Sequence, residues 1–170
     1  MTGSSEGGEP VSNPSLASRR VLLAGAALAV AGSAQAQPAD DPAQLLTLMD
    51  RYAALLRWNS VDGLVALYTP DGVFIRDDLP AATGTEALRA AYRQVFATLK
   101  VDLAFEVKET EVAGDMAWLR ATSKGRVRTL ASGAEATEAF NVVVIFRRTA
   151  AGWKIRCYTY GASKGTGTPQ

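Results

Sequence analysis

The chain has 170 residues, 48% of them apolar, with 18 Lys and Arg against 17 Asp and Glu, no His and one Cys. Its near-zero charge removes the usual electrostatic reason to bind nucleic acid or anionic lipid. Without His, the Ser-His-Asp and Cys-His mechanisms fall away with the commonest zinc ligand, so acid–base work is left to Asp, Glu, Lys or Tyr, and a lone Cys forms no intrachain disulfide.

Residues 1–20 are polar and rich in Gly, Ser and Pro. Arg19-Arg20 then opens a short apolar run, Val21 to Gly32, which Ala34-Gln35-Ala36 closes in an A-x-A cleavage pattern. That grammar predicts a cleavable export signal over 1–36. The run is shorter than the roughly 20 apolar residues a spanning helix needs. The paired arginines resemble a twin-arginine signal. The expected product starts near Gln37 and is periplasmic or secreted, with no membrane attachment after signal removal. A short leader is expected over 37–42, one domain over 43–163 and a frayed Gly/Thr/Pro tail over 164–170.

Within the domain, helices come first. Leu45, Leu48, Met49, Tyr52, Leu55 and Leu56 recur at helical spacing and predict a helix from Ala43 to Trp58. Asn59-Ser60 breaks it, and Ser60 is placed to cap a short second helix, Val61 to Tyr68. Thr69-Pro70-Asp71-Gly72 reads as a turn, Val73 to Ile75 as a short strand, and Arg76 to Thr83 as a polar loop with paired acids. Thr85 is the expected cap of a third helix reaching Leu99, with Leu88, Tyr92, Val95 and Phe96 on its apolar stripe. After Lys100 the period becomes two. Leu103, Phe105 and Val107 alternate with polar residues, and Gly114-Asp115 turns the chain into a long strand, Met116 to Leu130. Ser132-Gly133 and Ala150-Ala151-Gly152 lead into strands Thr137–Arg148 and Trp153–Ala162. Consecutive hairpins after segregated helices predict an α+β domain with a strongly bent antiparallel sheet.

That order of elements resembles the NTF2-like superfamily over about Leu45 to Ser163. Arg51-Tyr52-Ala53-Ala54-Leu55, Asp62 to Tyr68, Asp71-Gly72 and Thr85 to Tyr92 are similar to segments of ketosteroid isomerase. Phe146-Arg147-Arg148, Gly152-Trp153-Lys154-Ile155, Tyr158 and Tyr160 are closer to the DUF4440 group of SgcJ/EcaC-type proteins, which is related to SnoaL-like cyclases. The resemblance implies a cone of three helices on a curved sheet with an apolar cavity at its mouth. It also implies that Tyr52 donates a hydrogen bond to a developing oxyanion, with Tyr68 and Tyr92 in support. Each tyrosine equally reads as an amphipathic core residue with its hydroxyl at the rim.

The isomerase's general base is an Asp at the end of the first strand. An ungapped match from Tyr52 puts Arg76 there, one residue before Asp77 and Asp78. One of these aspartates is the expected base, and a solvated acidic loop is the alternative. The strand segment matching the second oxyanion donor offers only Asn141. On the last strand, alternation puts Arg156, Tyr158 and Tyr160 on one face and Trp153, Ile155, Cys157 and Thr159 on the other. The family match directs the tyrosine face into the cavity, where Trp118, Arg120 and Thr122 join it, along with Phe74 and Phe96. Arg156 there suits an anionic or carbonyl-bearing ligand; otherwise it pairs with an acid such as Glu138. Cys157 reads as a small buried residue.

Neither a phosphate loop nor a metal-ligand pattern is present, and no cofactor is expected. Apolar residues on both faces of Phe140–Phe146 and Trp153–Tyr160 predict a homodimer. The expected function is an exported pocket for a small apolar or carbonyl-bearing molecule, with isomerase, lyase or cyclase-type chemistry by Tyr and Asp. A non-catalytic binding protein and a dimerisation module are the alternatives.

Overall fold

Helix α1 (Asp41–Arg57) buries Leu45, Leu48, Met49, Tyr52 and Leu56, the one-sided stripe that its period demands. The computed structural model describes residues 40–77 and 79–163. The expected export signal, most of the leader, Asp78 and the tail lie outside the described residues. Pro42 stands in the first turn, where its missing N–H is harmless. Asn59 ends the helix in the left-handed conformation (φ 52°), which Asn tolerates better than most residues.

The helix begins two residues before the predicted Ala43, for a tertiary reason. Asp41 is 1% exposed and accepts hydrogen bonds from both terminal nitrogens of Arg148 and from the Trp153 indole (3.1 Å). The Arg148 guanidinium lies 4.3 Å from the Trp153 ring centre. Buried charge is tolerated here because the carboxylate is paired and hydrogen-bonded. Its pKa sits below the ordinary value, chiefly through the hydrogen bond from Arg148.

The second helix, α2 (Val61–Ala66), stops short of Tyr68. Tyr68 instead opens strand β1 (Tyr68–Ile75), so the predicted turn at 69–72 lies inside a strand. Pairing overrides local turn chemistry: the Ile155 amide donates to the Leu67 carbonyl, Tyr68 sits opposite Ile155, and the ladder is irregular between Tyr68 and Val73. The predicted loop contains a two-residue strand, β2 (Ala82–Thr83). Helix α3 (Thr85–Thr98) follows. Its N-cap is Gly84, not Thr85, and Ser60 at the start of α2 makes no side-chain cap bond.

Four long strands complete the domain: β3 (Leu99–Ala113), β4 (Met116–Thr129), β5 (Glu135–Thr149) and β6 (Gly152–Ala162). The sheet order is β2-β1-β6-β5-β4-β3, antiparallel throughout except for the parallel β1–β6 pair. The α+β class and the curved sheet under N-terminal helices agree with the sequence reading. Gly125 allows β3 and β4 to approach closely. A Cβ at that position would lie 2.0 Å from the Asp102 carbonyl oxygen, which no side chain permits.

Two bulges reset the facing of side chains. In the β3–β4 ladder, Val107 pairs with Ala121 and Glu109 with Arg120, leaving Lys108 extra. In the β5–β6 ladder, Ile145 pairs with Cys157 and Phe146 with Ile155, leaving Arg156 extra. The second bulge overturns the predicted alternation of the last strand. Trp153, Ile155 and Tyr158 are all buried on the helix-facing side, while Cys157 and Thr159 sit opposite Ile145 and Val143.

Candidate functional site

The concave face is set by which residues of the long strands alternate inward. On β4 these are Ala117, Leu119, Ala121 and Ser123, all at most 4% exposed. On β5 they are Val142, Val144 and Phe146. Three of the four inward β4 side chains are small, which leaves room between the sheet and the helices.

That room is a cavity of about 100 Å³ with an almost wholly apolar wall. Tyr52 and Leu56 of α1 and Tyr92 and Val95 of α3 form the helix side. The sheet side includes Phe74 of β1, Ser123 of β4, Phe140 of β5 and Tyr158 and Tyr160 of β6, and Leu103 and Val127 extend it. The volume is of the order of the roughly 150 Å³ hole that admits a benzene ring. It suits one ring rather than a fused polycycle.

The aromatic wall is rigidly interlocked. Tyr52 stacks on Tyr158 at 4.8 Å between ring centres, and Phe74 stacks on Tyr92 at 4.9 Å. Phe140 meets Tyr160 edge-on at 5.2 Å. Such contacts add to the gain from area burial alone.

Three phenols form a buried chain. The Tyr92 hydroxyl is central, 2.8 Å from the Tyr52 hydroxyl and 2.7 Å from that of Tyr68. Three hydroxyl protons serve two hydrogen bonds, so one O–H remains to donate elsewhere. In the order Tyr68 to Tyr92 to Tyr52, that proton belongs to Tyr52, the end of the chain that lines the cavity. Burial is the main cause that lifts all three pKa values well above the ordinary phenol range, and the neighbouring tyrosines add to it. Burial likewise lifts Tyr158. These phenols are donors at any working pH, and a donor in a dry site is stronger than in water.

The structure therefore brings Tyr52, Phe74, Tyr92, Tyr158 and Tyr160 onto one cavity wall. Tyr68 and Phe96 stand behind it, touching Tyr92 through the hydroxyl and through a ring stack at 6.2 Å. Trp118, Thr122, Asn141 and Arg156 are not in the cavity. Trp118 pairs with Ile145, and Thr122 with Asn141, so all three polar or aromatic candidates share the outer face with Arg120 and Val143. The buried Ala117–Ser123 alternation fixes that facing. Arg156 is the bulged residue, and it pairs with Asp71 (3.2 Å) rather than Glu138. Asp77 is exposed, and Asp78 lies outside the described residues. Cys157 is only half-buried. Among the described residues no three Asp, Glu or Cys side chains converge as a metal-ligand set.

Sequence reasoning missed Ser123, Phe140 and Leu103 as wall residues. The signal for Ser123 was there: counting in twos from Leu119 reaches it. Another missed residue stands just outside the lining. Arg76 follows Phe74 by two positions and shares its inward side, with its guanidinium carbon 5.7 Å from the Phe74 ring centre. Burial raises the pKa of Tyr160, and the charge of Arg76 acts against that rise.

A scan of family profiles matches residues 45–160 to the SnoaL-like domain. A ketosteroid isomerase-like protein from Erwinia carotovora atroseptica superimposes with a TM-score of 0.69 at 26% identity, covering 74% of this chain and 98% of that one. A conserved protein from Planctomyces limnophilus gives 0.63 at 22% identity, covering 74% and 99%. An NTF2-like protein with a cystatin-like fold from Novosphingobium aromaticivorans gives 0.60 at 24% identity, covering 75% and 85%. The last two matches speak to the fold alone. No curated protein sequence matches the chain.

Proposed function

Since the chain belongs to the SnoaL-like domain family of NTF2-like proteins, we propose that it is an exported protein whose cone captures a single-ring apolar compound through a carbonyl oxygen. One observation carries this reading: the tyrosine chain has one O–H to spare, and its Tyr52 end lines an almost wholly apolar cavity into which that proton can be donated. A carbonyl accepts that proton, and the aromatic wall supplies the burial. The reading is tested by native mass spectrometry of the purified protein for a co-purifying compound, followed by Tyr52→Phe. A retained small carbonyl compound that Tyr52→Phe releases supports it. Retention that ignores Tyr52 refutes it.

A second reading, isomerase, lyase or cyclase-type catalysis, draws on the same phenol. A donor that never ionises at working pH stabilises an oxyanion as charge develops. The proton abstraction falls to Asp77 or Asp78 in this reading. The exposure of Asp77 favours capture over turnover. Turnover in the parent that Asp77→Asn or Asp78→Asn abolishes without loss of binding would reverse that preference.

Two further parts of the proposal concern the assembled and delivered protein. The outer face of β4–β6 carries Trp118, Ile145 and the 38%-exposed Val143, and a second copy of the chain is proposed to cover it. Light scattering should give a dimer that Val143→Glu splits. Residues 1–36 are proposed as the export signal. Arg19→Lys combined with Arg20→Lys should hold the precursor back if the route is the twin-arginine one.

A further inference from the structure

The cavity wall and its border hold two polar groups that the described residues leave unpaired. Ser123 is 1% exposed, stands on the wall, and its hydroxyl has no hydrogen-bond partner. Arg76 stands beside the wall, over Phe74, and its Nε is buried without a partner among the described residues. Buried polar atoms are nearly always paired, so each unpaired one calls for an explanation. Ser123 lines the cavity, and Arg76 stands against Phe74, another residue of its wall.

Arg76 is the more informative. Strand alternation puts Gly72, Phe74 and Arg76 on the inward side, while Ile75 and Asp77 are exposed. Its two terminal nitrogens both donate to the Gln94 side-chain oxygen at 3.3 Å. That amide is neutral and supplies no countercharge. Among the described residues no carboxylate lies within ion-pair distance of Arg76. A guanidinium seated over an aromatic ring, with a free N–H edge, matches a carboxylate in shape and charge.

Ser123 marks the other end. It sits opposite Phe105 on β3, and Phe105 meets Tyr52 edge-on at 5.9 Å. Tyr52 and Ser123 are thus both neighbours of Phe105. Arg76 extends β1 and Ser123 belongs to β4, three strand spacings apart in the sheet order. Continuing the register puts Arg76 level with Ala121, two residues from Ser123, so the two backbones are about 16 Å apart on a flat sheet and less across its concavity. The reach of the arginine side chain leaves room for about one ring between the two groups.

We infer that the ligand of this cavity is a single-ring carboxylic acid with an oxygen substituent at its far end. The carboxylate lies on Arg76, and the distal hydroxyl or oxo group lies between Ser123 and Tyr52. This rests on the proposed reading of the cavity as a ligand pocket and narrows it to an acid. It also gives Arg76 the anion-binding chemistry that the sequence assigned to Arg156.

The test is calorimetric titration of the full-length chain with 4-hydroxybenzoate, benzoate and 4-hydroxybenzyl alcohol. The acid is expected to bind at least about tenfold more tightly than the alcohol, the scale of a charged hydrogen bond. Arg76→Gln should erase that ratio, and Arg76→Lys should keep part of it. Ser123→Ala should remove part of the advantage of 4-hydroxybenzoate over benzoate and leave benzoate unchanged. If Arg76→Gln fails to unfold cooperatively, the acid-to-alcohol ratio in the parent and in Arg76→Lys decides. Equal binding of acid and alcohol in the parent overturns the inference and leaves the pocket reading standing. So does an acid preference that survives Arg76→Gln. Failure of all three probes to bind overturns both.

Discussion

Removing the Tyr92 hydroxyl should cost more than removing either of the hydroxyls it joins. Tyr92→Phe deletes two hydrogen bonds of 2.8 and 2.7 Å at once. Each is worth about 1 kcal/mol net, and each stranded partner hydroxyl costs about a further 1 kcal/mol when buried. Tyr68 has no route to the cavity, so its loss is complete. Tyr52 lines the cavity and recovers part of its own. The expected destabilisation is about 3 kcal/mol, or roughly 10 °C in melting temperature for a domain of this size. Tyr68→Phe removes one bond and strands little, about 1 kcal/mol. The assay is urea unfolding followed by circular dichroism for each single variant and for the triple Phe variant. The triple variant strands no hydroxyl, so it should be more stable than the sum of its parts. A Tyr92→Phe variant no less stable than Tyr68→Phe would refute the central role of Tyr92, as would strict additivity in the triple.

Three other outcomes are expected. The buried phenols keep their protons above pH 10, where the unfolded chain sheds them, so their contribution is full below about pH 10 and falls above it. For Tyr52, Tyr68, Tyr92 and Tyr158 the slope reaches about 1.4 kcal/mol per pH unit each, and urea midpoints between pH 8 and 11 should fall less in the triple Phe variant. Gly125→Ala forces a Cβ against the Asp102 backbone at 2.0 Å, which should cost about 3 kcal/mol by the measure of overpacked sites; an unchanged unfolding midpoint would refute the close approach. Asp41, whose pKa the Arg148 hydrogen bond lowers from 3.8, contributes stability above that ordinary value and loses it as pH falls through the lowered one. Asp41→Asn should therefore be less stable than the parent at pH 7, and the gap should close towards pH 2.

The helices were legible because their stripes are dense: Leu45 to Leu56 and Leu88 to Phe96 admit one facing each. The strands were legible as strands, but not always in their facing. Size misled the reading of β4, where Trp118 looks like an inward residue and Ala117 does not. The buried line is Ala117, Leu119, Ala121 and Ser123 because a cavity needs short side chains on one wall. On β6, nothing in Ile155-Arg156-Cys157 announces a bulge, since a bulge is decided by the neighbouring strand. Tyr68 looked helical by period and became a strand residue through pairing with β6. Asp41 looked like leader because its partners, Arg148 and Trp153, stand more than a hundred residues away.

That last separation bears on how the molecule is finished. The first buried residue of α1 acquires its partners only from the last hairpin, 107 and 112 positions downstream. A nascent chain can build its helices early, but the carboxylate that anchors their leading end has nothing to hold until the end of β5 has been made, and its last partner comes only with β6. The two ends of the domain are thus fastened by one knot, and it is the final one tied. A chain cut short before Arg148 would carry an unmatched charge at the spot where the fold should be sealed.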